Sequence, residues 1–125
     1  MGFIEDFNNL DWPNLRARFS DDATIFFPQQ YHARRAVGRA ETDAVWDAVF
    51  KSIRAASKRT TPPFIQLRPL DIIIQQFPGA AIATFTLQSG TDGMIGRRSL
   101  VLAETGDGWK IAHLHGSTAP VSADR

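Results

Sequence analysis

Two histidines, His113 and His115, stand two residues apart in the closing segment Trp109 to Ser117 (WKIAHLHGS). Imidazole is the side chain whose ordinary titration range spans neutral pH, so such a pair can exchange a proton with a bound molecule. Side chains alternate across a strand, and strict alternation puts both rings on one face with Trp109 and Ile111. The preceding segment, Ile95 to Glu104, carries Arg98. A turn over Thr105-Gly106-Asp107-Gly108 pairs the two segments, setting Leu102 opposite Ile111, Leu100 opposite His113 and Arg98 opposite His115 on the inner face. On that register Arg98 binds an anionic or carbonyl-bearing ligand while His113 or His115 serves as acid or base. The competing reading has the two histidines satisfied by Trp109, backbone or loop groups, without chemistry. A slip of one residue would turn all these side chains to the other face, so the expectation is sharp.

Other residues are candidates for the walls and the entrance. Tyr31 and His32 lie in a polar loop, Gln29 to Gly38, where they either close over a pocket or form loop surface. Phe27, Trp46 and Phe50 are pocket wall or core, and Leu100 and Trp109 extend the same lining. His-x-His presents two imidazoles to one side, but a metal site needs a third ligand from Glu104 or His32. Glu104 falls near the turn and reaches His113 poorly, so no metal is expected. No phosphate loop, nucleophile elbow or dinucleotide-binding glycine pattern is present, and no cofactor is expected.

The elements that must position these residues follow from periodicity. Phe3, Phe7 and Leu10 share one helical face; Asp11 caps a second short helix bearing Trp12, Leu15 and Phe19, with Pro13 tolerated in its first turn. Ser20-Asp21-Asp22 is expected to end that helix, and Thr24 to Phe27 reads as a strand stopped by Pro28. Val45, Trp46, Val49, Phe50 and Ile53 give a helix from about Glu41 to Ser57, its Glu41 and Asp43 suited to the positive end of the dipole. After a Thr60 to Pro63 linker come four strands, roughly Ile65 to Phe77, Ala80 to Ser89, Ile95 to Glu104 and Trp109 to Ser117. The domain is read as residues 1–118, with Ala119 to Arg125 a loose tail.

Helices first and strands last is the α+β pattern, with helices gathered on one face of an antiparallel sheet. Ile72-Ile73-Ile74 and Leu100-Val101-Leu102 put apolar groups on both faces, where a sheet with one solvated face should alternate. A homodimer with sheet-to-sheet contact is therefore expected. The 125 residues suffice for one domain around one core. A 43% hydrophobic content against 22% charged is a folded composition, and a net charge of +1 implies neither nucleic acid nor an anionic membrane as partner. Zero cysteines exclude disulfide and thiolate chemistry. No apolar run approaches a membrane span and the first 20 residues are too polar for an export signal, so a cytoplasmic location is expected.

Several features together carry a resemblance: Asp11-Trp12 at a helix start, Phe19-Ser20-Asp21-Asp22-Ala23-Thr24 running into a strand that ends at Pro28, Gly38-Arg39 before a helix, and the closing Trp109 to Ser117. The chain resembles the nuclear transport factor 2-like superfamily, in particular SnoaL-like proteins and the association domain of calcium/calmodulin-dependent protein kinase II. The resemblance implies a cone-shaped fold, a strongly bent sheet wrapped around N-terminal helices (a cystatin-like α+β barrel), a pocket at the open end, and frequent dimers. It does not imply one activity, since the superfamily holds isomerases, dehydratases, hydrolases and non-catalytic assembly modules. Registering the chain on ketosteroid isomerase puts Phe3, Leu100 and Phe27 where that enzyme has its tyrosine, late aspartic acid and aspartate base. None of the three can donate a hydrogen bond or take up a proton, so that route is closed. The kinase domain's pocket arginine likewise falls near Leu100. What remains is a small-molecule-binding protein, with acid-base catalysis as its active form, or a non-catalytic assembly or regulatory module that oligomerises through its sheet.

Overall fold

The Asp11 side chain accepts from the Asn14 amide and Pro13 occupies the first turn, so the second helix starts at Trp12 as its capping pattern predicts. The computed structural model describes residues 2–88 and 93–121. In chain order its elements are α1 (Gly2–Asn8), α2 (Trp12–Ala17), β1 (Phe19–Phe26), β2 (Ala36–Val37), α3 (Gly38–Ala56), β3 (Arg68–Phe77), β4 (Ala80–Gln88), β5 (Met94–Thr105) and β6 (Gly108–Pro120). The strands form one curved, unclosed sheet in the order β2-β1-β6-β5-β4-β3, with the helices on one side. The expected α+β architecture is present. Its neighbours pair antiparallel except β1 and β6, which run parallel.

Helix α3 supplies the broad apolar face that the sequence predicts, burying Val45, Trp46, Val49, Phe50 and Ile53. Its start is secured by the Glu41 carboxylate, which accepts from the Val37 amide at 2.8 Å. Trp46 is the hub of the core, its ring 5.0 Å from Phe27, 5.8 Å from Phe19, 6.0 Å from Phe7 and 6.1 Å from Phe50, mostly edge to face. Leu15 and Ile25 are fully buried beside this cluster. On the buried side of the sheet β4 presents Ala81, Ala83, Phe85 and Leu87 in strict alternation.

Element boundaries depart from the local reading where tertiary bonds intervene. Ser20, Asp21 and Asp22 belong to β1 and do not close a helix. Arg39 of α3 holds this stretch by donating to the Phe19 carbonyl at 3.1 Å and the Asp21 carboxylate at 2.7 Å. That guanidinium keeps the Asp21 carboxyl below the usual carboxylate range, through its hydrogen bond first and its charge second. Strand β3 starts at Arg68, after Ile65, because Asn8 captures the preceding backbone: its side chain bonds the Leu67 amide and carbonyl at 3.0 Å and its carbonyl accepts from Phe64 at 2.8 Å. Strand β6 continues through Ala119 and Pro120, two residues into the stretch expected to be loose; 122–125 lie outside the described residues, as does Ser89.

Candidate functional site

The β5–β6 hairpin begins in the expected register, with Thr105 paired to Gly108, Glu104 to Trp109, Ala103 to Lys110 and Leu102 to Ile111. One residue later it departs. Val101 pairs with His113, Leu100 with Leu114, Ser99 with His115 and Arg98 with Gly116, leaving Ala112 as the extra residue of a β-bulge. The bulge inverts the alternation beyond it, so Ile111, Leu114 and Gly116 are buried while His113 and His115 face away from the helices. The expected inner-face pairing of Arg98 with His115, and the common face of both imidazoles with Trp109 and Ile111, are thereby overturned, although His115 and Arg98 still border one groove. His113 Nδ1 shares a 2.7 Å hydrogen bond with Thr24 Oγ1 on β1, and the Phe26 ring lies 6.0 Å from His113 and 5.2 Å from His115. These contacts belong to the outer face of the sheet.

Arg98 points inward, as expected, into a trough made by glycines. A Cβ on Gly116, directly across the ladder, would lie 3.3 Å from the guanidinium carbon and 3.1 Å from Pro28 Cδ; one on Gly96, two residues back on the same face, would lie 3.4 Å from Arg98 Nη1. A side chain at either position would crowd its neighbours by a few tenths of an ångström. Nη1 donates to the Arg97 carbonyl at 3.0 Å and the Ser117 carbonyl at 3.2 Å, while Nε and Nη2 donate to no acceptor among the described residues. No carboxylate among the described residues pairs with this cation. Burial pushes its pKa down to about 10, with the Tyr31 phenol opposing the shift. It is therefore fully charged at neutral pH, largely desolvated, and without a counterion among the described residues.

The guanidinium borders two adjoining spaces on the side of the core, and a further open groove with Asp71, Ser99 and His115. Inward is an aromatic cavity of about 40 Å³ whose walls include Phe3, Phe27, Trp46, Val49 and Leu114. Outward is a mouth of about 570 Å³ bordered by Ile53, Ile65, Met94, Gln30 and Thr118. Phe7, Pro28, Tyr31, Leu67, Leu87 and Arg98 line both and form the neck.

The model of the SnoaL-like domain matches residues 1–122. The chain belongs to the SnoaL-like family. Solved structures that share its fold include NTF2-like proteins, the group its closing segment resembles. The chain is similar to an NTF2-like protein of unknown function from Pseudomonas putida KT2440, at 18% identity over 92% of this chain and 78% of that one, with a TM-score of 0.74. An uncharacterised protein with a cystatin-like fold from Caulobacter vibrioides is 19% identical over 98% and 89% of the two chains, TM-score 0.72. The CaMKII hub of S. rosetta is 20% identical over 94% and 89%, TM-score 0.69. At these identities the likeness is one of fold. A search of the curated proteins finds no match.

In this SnoaL-like fold the expected site residues divide into groups. Arg98, Tyr31, Phe27 and Trp46 converge on the cavity. His32 lies beside it, its ring 6.4 Å from Phe27. Phe50 is core, packed on Phe7, Trp12 and Trp46. Leu100 and Trp109 border a separate groove with Ile74, Leu102 and Ile111, away from Arg98. No group of three metal-ligating side chains occurs among the described residues, and no helix among them is long and apolar enough to cross a membrane. The local reading missed Leu67, Leu87 and Leu114 as lining and the two glycines as a cradle. Gly96 and Gly116, each inside a strand and flanking Arg98 on the ladder, are the signal that would have found it.

Proposed function

We propose that this SnoaL-like chain is a small-molecule-binding domain whose ligand enters by the mouth and is anchored at the neck by an anionic or carbonyl oxygen on Arg98. The observation that supports this reading is a desolvated guanidinium with two uncommitted donor nitrogens at the junction of an apolar cavity and a roomy entrance. A buried charge without a partner is costly to a fold unless something else completes it. Binding is favoured over acid-base catalysis because the only titratable side chains among the cavity's described lining are Arg98 and Tyr31, with His113 and His115 on the other face. A thermal-shift screen of anionic and neutral carbonyl compounds tests it: some raise the Tm of the natural chain and not of Arg98→Gln. A screen in which none does would defeat it.

A second role, self-association through the outer sheet face, has its own observation. Ile73 and Phe77 on the edge strand β3 are 61% and 51% exposed on that face, large apolar side chains of the kind that mark interaction surfaces. Sedimentation should give a homodimer that Ile73→Lys dissociates, whereas a large ring would favour the assembly-module reading. A monomer at high concentration would remove the role.

A further inference from the structure

We infer that the ligand of the Arg98 site is a small apolar monocarboxylic acid, bound with its carboxylate at the neck and its tail in the mouth. This rests on the reading of Arg98 as a ligand anchor and narrows it to a chemical class and an orientation.

The charge count comes first. Arg98 is the one cationic side chain among the described residues that line the cavity and the mouth, and no described carboxylate faces it there. A single guanidinium compensates a single negative charge, and a dianion would leave its second charge desolvated. The free donors fix the shape. With Nη1 held by two backbone carbonyls, Nε and Nη2 remain as a side-on fork, whose spacing matches the two oxygens of a carboxylate. Volume then fixes the orientation. The inner cavity, about 40 Å³, has room for a few water-sized groups and no more, given roughly 10 to 15 Å³ for each. The mouth, about 570 Å³, falls in the range of organic ligand sites, roughly 300 to 1,000 Å³. The tail therefore points outward, along Ile53, Ile65, Leu67, Leu87 and Met94, and these walls favour methylenes over polar groups. Tyr31 also lines both spaces.

The test is a titration of the full chain with butanoate, hexanoate, hexanamide and adipate, followed by calorimetry and by tryptophan fluorescence, to which Trp46 on the cavity wall contributes. Hexanoate should bind more tightly than butanoate, by about threefold to fourfold for each added methylene. Hexanamide, which lacks the charge, should bind at least about tenfold more weakly than hexanoate. Adipate should be weaker by a similar factor, because its second carboxylate would sit among aliphatic walls. Arg98→Gln should abolish the difference between hexanoate and hexanamide. Hexanamide binding as tightly as hexanoate would overturn the acid assignment while leaving a neutral-ligand site intact. Adipate equal to hexanoate would overturn the orientation. No binding by any of the four would count against the anchor reading itself. Should Arg98→Gln fail to fold, the amide and adipate comparisons on the unaltered chain still decide.

Discussion

Replacing Arg98 with methionine should make the unliganded protein more stable. The fall of its pKa on burial to about 10, well below the usual guanidinium range, corresponds to about 3 kcal/mol against the charged form at neutral pH. Against this stand the two Nη1 hydrogen bonds to Arg97 and Ser117, worth about 1 kcal/mol each in net terms. Methionine keeps an unbranched apolar stem in the same channel, so little packing is lost. The balance is a gain of about 1 kcal/mol, or a Tm raised by about 2 to 5 °C for a chain of this size. The sign with pH follows. The folded guanidinium holds its proton less tightly than the unfolded one, so the unfolded state binds more protons in the window from about pH 10 up to the ordinary guanidinium range. The native state of the natural chain gains across that window, and the penalty is in full force below it. Urea and thermal unfolding of both proteins at pH 7, without ligand, measure the difference. A loss of 1 kcal/mol or more in Arg98→Met would mean that the guanidinium holds the hairpin together, and the inference of a vacant anion anchor would fall with it.

Three further outcomes follow from the same geometry. Gly116→Ala, whose new methyl would meet Pro28 and the Arg98 guanidinium at 3.1 and 3.3 Å, should cost about 1 to 3 kcal/mol by overpacking and weaken hexanoate binding; unchanged affinity in a calorimetric titration would dismiss the glycine cradle. The double variant His113→Ala/His115→Ala should retain ligand affinity within about twofold, since both rings lie on the outer face; loss of binding in a folded protein would contradict the bulged register. Leu15→Ala, at a fully buried position, should lose about 2 to 5 kcal/mol in urea unfolding, and a loss under 1 kcal/mol would show that α2 does not close the core.

Much of the architecture was legible because its signals are local. Asp11 and Pro13 place α2, the spacing of Val45 to Ile53 places α3, and the Gly106-Asp107 turn sets the first four pairs of the last hairpin. Apolar periodicity and turn chemistry act over a few residues, so one chain suffices to read them. Arg98, Tyr31, Phe27 and Trp46 were identified for the same reason: an inward arginine and large aromatics near a loop are visible one at a time. Which of them meet was another matter. The bulge at Ala112 adds one residue to β6, and period-two alternation carries no memory of an insertion, so nothing local foretold that His113 and His115 would face outward. The bulge lies beside the join with β1, where Thr24 and Phe26 take up the two imidazoles. The capture of Phe19 and Asp21 by Arg39, and of Phe64 and Leu67 by Asn8, likewise joins groups far apart in the chain. Amino-acid order determined the elements, the fold class and the inward arginine. Register and companionship within the site were decided by long-range hydrogen bonds and packing, whose energies exist only once distant strands have met.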